Sequence, residues 1–252
     1  MLTTRRGAAK SLLDFRDVAM TFPDGTVALS DIDLTVDRGE FVTVVGPSGC
    51  GKSTLLRIAS GLETASNGTV ELDTSRIGYV FQDATLLPWR SVRSNVELLG
   101  ELHGTPRTQR AAKAKEAIDL VGLTGFEKYL PRALSGGMRM RTSLARSLTL
   151  DPEIFLFDEP FGSLDEITRE RLNDEIITLF TERQFAALFI THSVSEAVYL
   201  STRVVVMSGR PGRIVDTFEV PFEMPRDPEI RFTGEFAHLV GEVSHALREG
   251  HS

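Results

Sequence analysis

Residues 46–53 carry the pattern G-x-x-x-x-G-K-[ST], whose residue types suit the binding of a phosphate group. Glycine allows the backbone to wind so that successive amide groups point at phosphate oxygens. A strand-like apolar run precedes the pattern and a helical run follows it, so the N-terminus of a helix adds its partial positive charge. Lys52 is the type of residue that reaches the β- and γ-phosphates, and the Ser53 hydroxyl suits Mg²⁺.

The strand and helix that flank this loop favour nucleotide binding over the alternative, a glycine-rich turn without a ligand. We therefore expect a run of consecutive residues to contact the nucleotide. These residues are Gly46, Pro47, Ser48, Gly49, Cys50, Gly51, Lys52, Ser53 and Thr54.

Two acidic residues, Asp158 and Glu159, directly follow the apolar run 154–157. A strand that is buried on both faces and ends in two carboxylates places them at the carboxyl edge of the sheet, where ligands bind in such folds. We expect Asp158 to hold Mg²⁺ through its water shell. Glu159 has the chemistry to polarise the water that attacks a γ-phosphate. The alternative is a pair of solvated acids that end a strand.

His192 and Gln82 also follow strand-like runs, but neither residue is informative by itself. A lone histidine after a strand is a structural hydrogen-bonding group as often as a catalytic one. The amide of Gln82 can donate or accept a hydrogen bond near a metal ion or a water molecule.

A second glycine-containing helix start lies at residues 134–138. Ser135 is a good N-cap residue, and Gly136 and Gly137 expose backbone amides at the positive end of the helix. The chain therefore presents two helix starts that suit anions, whereas one bound nucleotide has one γ-phosphate. Either the second start serves another purpose or two chains share their nucleotides.

The elements that carry these residues follow from the hydrophobic pattern. Four continuous apolar runs predict strands that are covered on both faces, as in a parallel sheet. These runs are residues 41–45, 154–157, 187–190 and 204–207. Helical periods lie between them, so the sequence predicts an α/β core.

Three regions interrupt this alternation. Before residue 80, shorter segments with turn signals at Asp24-Gly25 and Asn67-Gly68 predict antiparallel hairpins. Residues from about 89 to 150 carry helical patterns and little strand pattern. After about residue 220 we expect a C-terminal appendage with a helix over residues 234–247.

The composition excludes several classes of protein. Hydrophobic residues make up 41% and charged residues 25%, which is typical of a globular chain. The 28 basic and 35 acidic residues give a formal net charge of −7, so we expect no nucleic-acid partner. The single cysteine, Cys50, cannot form an intrachain disulfide, which favours a reducing compartment. No apolar run reaches the roughly 18 residues of a membrane-spanning helix, and Lys10 and Asp14 interrupt any signal peptide.

The motifs resemble those of ATP-binding subunits of ABC transporters in order and approximate spacing. The resemblance covers about residues 12–220. The matching motifs are the phosphate loop at 46–53, Gln82, Leu134-Ser135-Gly136-Gly137, Asp158-Glu159, Ser163-Leu164-Asp165 and His192. The resemblance implies an α/β fold of the P-loop NTPase type, with a RecA-like core, an antiparallel β-subdomain and a helical subdomain. The implied bounds are 12–88 and 145–220 for the core with its β-subdomain, 89–144 for the helical subdomain and 221–252 for the appendage.

In this family two subunits pack head to tail, which accounts for the two helix starts. The resemblance implies that each ATP lies between the phosphate loop of one chain and the signature residues of the other, which are Ser135, Gly136 and Gly137. It also implies that Asp165 belongs to the loop that joins the two sites.

Further roles are implied residue by residue. Glu159 corresponds to the catalytic base and His192 to the histidine that contacts the γ-phosphate. Gln82 corresponds to the glutamine that touches Mg²⁺ and the attacking water and that moves with the membrane partner. Phe22 corresponds to the aromatic residue that stacks on adenine, and its alternative is a core phenylalanine in a hairpin. The implied metal-binding residues are Ser53, Gln82 and Asp158.

A narrower resemblance points to the importers of nitrate, sulfonates and taurine. It rests on Leu86-Leu87-Pro88-Trp89, Leu134-Ser135-Gly136-Gly137-Met138-Arg139 and Pro225-Arg226-Asp227. Met140 departs from the family, in which glutamine is usual at this position, and the segment 201–203 lacks the aspartate that often precedes its arginine. Trp89 either fills the core of the helical subdomain or lines, with Leu87 and Pro88, a groove for a short helix of a membrane subunit.

We therefore expect an ATP-hydrolysing subunit that powers the import of a small anionic solute by ATP-driven closure of a dimer. The expected partners are a second copy of the chain, integral membrane permease subunits and a separate solute-binding protein, and the expected location is the cytoplasmic face of the cell membrane.

Three alternatives stay open at this point. A soluble ABC ATPase that acts on DNA or ribosomes would carry a long coiled-coil insertion or a second cassette, whereas about 80 residues separate Lys52 from Ser135. A regulatory cassette without turnover would lack Glu159 or His192, and both are present. Another phosphate-loop enzyme, such as a small-molecule kinase, would leave the signature helix unexplained.

Overall fold

A computed structural model of the chain describes residues 11–250, which form two β-sheets and the helices packed on them. The strands are β1 (Ser11–Thr21), β2 (Val27–Asp37), β3 (Phe41–Val45), β4 (Asn67–Leu72), β5 (Ile77–Val80), β6 (Ile154–Asp158), β7 (Ala186–Thr191), β8 (Arg203–Met207) and β9 (Ile214–Glu219). The α-helices are α1 (Lys52–Ala59), α2 (Val92–Val96), α3 (Leu98–Leu102), α4 (Arg107–Leu120), α5 (Gly136–Leu148), α6 (Glu166–Arg183), α7 (Val194–Leu200) and α8 (Gly234–Glu249).

The larger sheet has the strand order β5-β6-β7-β3-β8-β9. The pairs from β5 to β8 are parallel, and β9 pairs antiparallel with β8 at the edge. Every residue of β3 and β7 is buried, which is why these strands read as continuous apolar runs and not as alternating ones. The prediction of a parallel sheet covered on both faces is confirmed.

The topology brings the candidate chemistry to one edge of this sheet. Strand β3 leads into the phosphate loop, β6 ends at Asp158 and β7 ends one residue before His192. Because these three strands are parallel neighbours, their carboxyl ends lie side by side. Gln82 follows β5, which pairs with β6 in the same direction.

The smaller sheet is antiparallel, with the order β2-β1-β4. The turn at Asp24-Gly25 joins β1 to β2, as predicted, and Gly25 adopts a φ of 84° there. The prediction of a hairpin turn at Asn67-Gly68 is wrong, since these residues begin β4. Gly68 has a φ of 80° at a break in the β1–β4 register, where a Cβ would lie 2.2 Å from the carbonyl oxygen of Asp17. The Asn-Gly pair therefore marks a bulge.

The segment between β5 and β6 is helical, as the sequence predicts, and its helices α2 and α4 pack on α5. Their buried residues join the core on one face of the large sheet, which includes Phe41 and Phe155. A second core lies between the other face and the smaller sheet. The expectation that Trp89 fills the helical core is wrong, because its side chain is 72% exposed.

The C-terminal region packs onto this framework through α8, whose bounds match the predicted helix to within two residues. Phe236, Leu239 and Val243 enter the main core. Arg226 is buried and donates hydrogen bonds to the carbonyl oxygens of Tyr199 (2.9 Å) and Ser201 (2.7 Å) at the end of α7. Burial lowers the pKa of Arg226 to about 10. Within residues 11–250, no helix combines the length and apolar composition needed to cross a bilayer.

Candidate active site

The phosphate loop begins where β3 ends, and its conformation requires glycine at residue 51. Gly51 has a φ of 109°, and a Cβ there would lie 2.7 Å from Cδ2 of Leu29 and 2.8 Å from the carbonyl oxygen of Ala28. The Lys52 side chain is 5% exposed and folds back into the loop. Its Nζ donates to the carbonyl oxygens of Gly46 (2.8 Å) and Pro47 (2.9 Å). A desolvated ammonium therefore lies inside the loop, where an anion would complete its coordination.

The other residues of the loop differ in exposure. Ser48 and Gly49 are exposed and Thr54 is half-buried. Cys50 is buried, and this burial raises the pKa of its thiol. A Cβ on Gly46 would lie 2.9 Å from Sγ of Cys50, so the thiol fills space that a larger residue at position 46 would need. The Cys50 side chain is therefore a packing group in this arrangement.

Ser53 and Asp158 form the polar contact that joins the loop to β6. The Ser53 hydroxyl donates to Oδ1 of Asp158 over 2.8 Å. Burial raises the pKa of Asp158, while the hydrogen bond from Ser53 and the charge of Arg57 oppose that rise. The Tyr79 hydroxyl also hydrogen-bonds Asp158, and burial raises the pKa of that phenol.

This pair of oxygen donors fits Mg²⁺, which binds proteins through one or two carboxylates together with substrate phosphates and water. In the described part of the chain, no three His, Cys, Asp or Glu side chains cluster closely enough to hold a metal ion by themselves. A magnesium ion at Ser53 and Asp158 would therefore depend on phosphate oxygens for its remaining ligands. Gln82 is exposed at the end of the neighbouring strand β5, on the same edge of the sheet.

Glu159 lies between the buried lysine and the histidine. Its Oε1 is 3.8 Å from Nζ of Lys52, and its Oε2 is 3.3 Å from Nδ1 of His192. Its backbone has a φ of 45°, in the left-handed region that costs a non-glycine residue about 1 kcal/mol or more. A backbone hydrogen bond from Glu159 to Ile190 (3.0 Å) stabilises this conformation. In this strained turn the carboxylate contacts both Lys52 and His192.

The signature residues begin α5. The Ser135 hydroxyl accepts a hydrogen bond from the backbone of Met138 (3.2 Å) and caps the helix. A Cβ on Gly136 would lie 2.9 Å from Cδ2 of Leu164, and one on Gly137 would lie 2.9 Å from Cγ2 of Thr168. The glycines therefore let α5 pack closely against the loop before α6. Among residues 11–250, no hydrogen bond or ion pair joins residues 134–137 to the phosphate loop.

Asp165 and Phe22 complete the residues singled out from the sequence. Asp165 caps α6 by accepting a hydrogen bond from the backbone of Thr168 (3.0 Å), which lowers the pKa of the Asp165 carboxyl. Phe22 lies at the β1–β2 turn, where its ring is half-buried against the second core. The Phe22 ring therefore keeps an exposed part next to the smaller sheet.

A contact to the phosphate loop that sequence reasoning missed comes from the segment 208–213. Arg210 donates from Nε (3.1 Å) and Nη2 (2.9 Å) to the carbonyl oxygen of Gly49. A Cβ on Gly212 would lie 2.1 Å from the carbonyl oxygen of Cys50. On its other side, Gly209 donates to the carbonyl oxygen of Gly250, at the end of α8 (3.2 Å). The only sequence signal is an Arg-Pro-Gly turn after an apolar strand, which does not reveal a partner 161 residues away.

Comparison with known proteins identifies the class to which this fold and site belong. The family model described as ABC transporter matches residues 29–162. An uncharacterized ABC transporter ATP-binding protein of Methanocaldococcus jannaschii is 49% identical over 229 residues, which cover 88% of this chain and 85% of that protein. The chain belongs to the ABC transporter family.

Two other relatives are import proteins of named solutes. The nitrate import ATP-binding protein of a Synechocystis species is 43% identical over 237 residues, with 88% of each chain covered. An aliphatic sulfonates import ATP-binding protein of Burkholderia cenocepacia is 43% identical over 228 residues, which cover 88% of this chain and 83% of that protein.

Two solved structures have the same fold. One is the dimeric structure of a bacterial ABC transporter cassette, with a TM-score of 0.73, 29% identity, and 84% of this chain and 100% of that chain covered. The other is a dimeric post-hydrolysis state of that ATP-binding cassette bound to ADP and Pi, with a TM-score of 0.72, 29% identity and the same coverage. The predicted P-loop NTPase fold of the ABC type is confirmed. The chain is an ATP-binding subunit of an ABC transporter with ATPase activity.

Proposed function

We propose that the chain hydrolyses ATP to power the import of a small anionic solute, such as nitrate, a sulfonate or taurine. It does so as a pair of copies bound to integral membrane permease subunits at the cytoplasmic face of the cell membrane. A separate solute-binding protein delivers the solute, and nucleic acid is not a partner. The relatives that import nitrate and aliphatic sulfonates support the solute class.

The observation that carries the ATPase mechanism is the position of Glu159 between Lys52 (3.8 Å) and His192 (3.3 Å). In the proposed reaction Lys52 turns from the loop carbonyls to the β- and γ-phosphates. The Glu159 carboxylate accepts a proton from the attacking water. His192 donates a hydrogen bond to the γ-phosphate and so stabilises the charge that develops on it.

The metal-binding residues in this proposal are Ser53, Asp158 and Gln82. A bound Mg²⁺ would neutralise charge on the β- and γ-phosphates. Ser53 and Asp158, already 2.8 Å apart, would hold it from one side. Gln82 would reach the ion and the attacking water from the end of β5, and Phe22 would stack on the adenine from the β1–β2 turn.

The proposed dimer explains why two helix starts lie apart in one chain. The backbone amides at Ser135, Gly136 and Gly137 would bind the γ-phosphate held by the other copy, and Asp165 would line the loop between the two sites. These contacts exist in the closed dimer alone, so ATP has the differential affinity that closure requires. We retain the proposed division into a core with its β-subdomain (12–88 and 145–220), a helical subdomain (89–144) and an appendage (221–252).

The exposed surface around Trp89 supports a permease contact. Trp89 is 72% exposed beside a cleft that Arg90, Arg107 and Arg110 also line, with Glu101 and Glu97 paired to Arg90 and Arg110. Trp89 supplies a large apolar surface with one polar atom, and the arginines supply donors, which suits a short helix laid into a groove. The Gln82 segment lies a few residues before it in the chain, so closure of the nucleotide site would reach the permease through residues 82–90.

The test is to purify the chain from detergent-solubilised membranes, identify the proteins that accompany it and return the complex to vesicles. We expect permease subunits, and we expect ATP-dependent uptake of labelled nitrate or an aliphatic sulfonate. The Glu159→Gln variant, assembled in the same way, is the matched control and should bind ATP without uptake. Recovery of DNA-binding or ribosomal proteins in place of a permease would overturn the proposal.

A further inference from the structure

A buried carboxylate next to His192 has no part in the mechanism described so far. Glu196, in the first turn of α7, is 6% exposed. Its Oε2 accepts a hydrogen bond from the Thr191 hydroxyl. That same hydroxyl accepts a hydrogen bond from the backbone of Ser193 over 3.0 Å. Thr191 and Ser193, on the two sides of His192, are therefore joined by a hydrogen bond to the Thr191 hydroxyl. That hydroxyl in turn donates to Glu196.

This arrangement differs from an ordinary helix cap. In a capping box, the acidic residue reaches back to the backbone N–H of the cap residue itself. Here Ser193 caps α7 by accepting from the Glu196 backbone (3.3 Å), but the Thr191 hydroxyl stands between the carboxylate and the Ser193 N–H. The caps at Ser135 and Thr233 make a single side-chain bond to the helix and involve no buried acid.

Burial of a carboxylate is costly unless its partners are good ones. Oε1 of Glu196 is buried and has no hydrogen-bond partner in the described residues. Burial raises the pKa of Glu196, and the hydrogen bond from Thr191 and the charge of Arg169 oppose that rise. The caps at Ser135 and Thr233 form without a buried acid, so capping alone does not account for Glu196.

The other side of Glu196 faces α6. Asn173, on α6, is buried, and the charge of Arg169, also on α6, favours the ionised form of Glu196. Nη2 of Arg169 donates to the carbonyl oxygen of Leu164 over 3.0 Å, directly before Asp165. Arg169 therefore contacts the loop that carries Asp165, and its charge acts on Glu196.

We propose that Glu196 is a positioning residue for ATP hydrolysis. Through its hydrogen bond with Thr191 it fixes the turn that aims His192. The His192 side chain is 51% exposed, and its contact with Glu159 is its one hydrogen bond within residues 11–250. Its direction is therefore set by its backbone, which Thr191 and Ser193 hold. This inference rests on the proposed role of His192.

The test compares kcat, KM and ATP affinity of the full chain in four variants. Thr191→Val and Glu196→Ala break the contact, and we expect kcat to fall about 10- to 100-fold, because a misplacement of about 1 Å costs a rate of this order. Glu196→Gln keeps an acceptor for Thr191, so we expect it to recover most of the rate. Thr233→Ala removes the cap of α8, where Thr233 accepts from Phe236 (3.3 Å), and should leave kcat unchanged.

Two further measurements separate positioning from a merely structural role. The stoichiometry of ATP binding gives the folded fraction, and the ATP affinity should stay within about threefold of the original chain, because neither residue faces the phosphate loop. A loss of kcat that follows the folded fraction, with no recovery in Glu196→Gln, would overturn the proposal. If Glu196→Ala does not fold, the kcat of Thr191→Val tests the proposal, because this substitution removes the hydroxyl and keeps the shape of the side chain.

His192→Ala is the reference variant that separates the proposed role of Glu196 from the proposed ATPase mechanism. If its kcat collapses while Thr191→Val and Glu196→Ala keep the original kcat, the role of Glu196 is wrong and the proposed ATPase mechanism stands. If His192→Ala itself keeps the original kcat, both are wrong. A fall of kcat in all three variants, with recovery in Glu196→Gln, supports both.

Discussion

The edge of the large sheet and the start of α5 both use glycines and a helix N-terminus, yet they are built differently. At the sheet edge, Lys52, Glu159 and His192 contact one another or their own backbone, so opposite charges lie within a few ångströms. At the start of α5, Ser135 makes a single cap bond, and the neighbours of Gly136 are a leucine and an arginine.

The difference shows that a glycine-rich helix start does not by itself indicate a ligand. Gly51 avoids a clash with the carbonyl oxygen of Ala28, and Gly136 lets α5 lie close to the side chain of Leu164. In both places the neighbours within the chain already explain the glycine. The charged groups around the first region therefore indicate a ligand there, whereas a ligand at the second region rests on our proposal that a second copy supplies the nucleotide.

The largest loss of activity is expected from a substitution at the sheet edge. Glu159→Gln removes the group that we propose accepts the proton from water, so kcat should fall by about 10²–10⁴. ATP affinity should be retained, because Lys52 and Ser53 are untouched. Steady-state phosphate release and binding of a labelled ATP analogue measure the two quantities. An unchanged kcat would remove Glu159 from the mechanism.

The second prediction tests whether the two regions of different chains form one site. Lys52→Ala disables the sheet edge, and Ser135→Arg fills the start of α5 with a large side chain. Each homodimer should be inactive. A heterodimer, isolated with two different affinity tags, keeps one intact site and should have about half the original activity, since a two-fold symmetric pair contains two equivalent sites.

Homodimers of each variant, purified with the same two tags, are the controls for this experiment. Activity of the heterodimer no higher than that of either homodimer would contradict a shared site. It would leave the start of α5 as a packing feature.

A third prediction concerns the negative charge of Asp158, which burial disfavours. Because burial raises the pKa of Asp158 above the usual 3.8, ionisation of this group destabilises the fold without nucleotide. Asp158→Asn should therefore stabilise the chain by about 1 kcal/mol at pH 7 without magnesium, as measured by thermal unfolding. The same variant should bind Mg-ATP more weakly.

The sign of the pH dependence follows from the direction of the shift. An acid whose pKa is raised in the folded state binds more protons when folded, so stability falls as pH rises through the interval above 3.8. The advantage of Asp158→Asn should shrink as the pH is lowered toward 3.8. An advantage that grows on acidification would contradict this account.

The smallest expected effect concerns the support of the phosphate loop. Arg210→Ala removes two hydrogen bonds to Gly49 and should raise the Kd for ATP about two- to fivefold, because exposed hydrogen bonds contribute little net free energy. The kcat at saturating ATP should be unchanged. Arg213→Ala is the matched control, because Arg213 lies in the same segment but contacts Ser30 (3.3 Å) and not the loop. Equal affinities in the two variants would refute the support role.

Much of the site could be predicted because its parts are contiguous in sequence. A strand that is buried on both faces has a continuous apolar run, so the residues after it, such as Asp158 and His192, are expected at the carboxyl edge. The N-cap at Ser135 and the helix α8 are likewise local patterns, and the structure agrees with both.

What could not be predicted depends on distant contacts. Gly68 has the sequence of a hairpin turn, but its neighbour across the sheet, Asp17, makes it a bulge. Trp89 is apolar enough to be buried, and no local pattern indicates that the helices leave it outside. Arg210 and Arg226 reach their partners through packing of the C-terminal third of the chain, which local patterns do not specify.

The hydrogen bond between Gly209 and Gly250 has a practical consequence. It joins the end of α8 to Gly209, the residue directly before Arg210, and Arg210 hydrogen-bonds the phosphate loop. A fluorophore on a cysteine introduced at the exposed Glu249 would lie near the segment that contacts the phosphate loop, without altering any motif. The brightness of such a dye during ATP titration would then track loading of the pocket in real time.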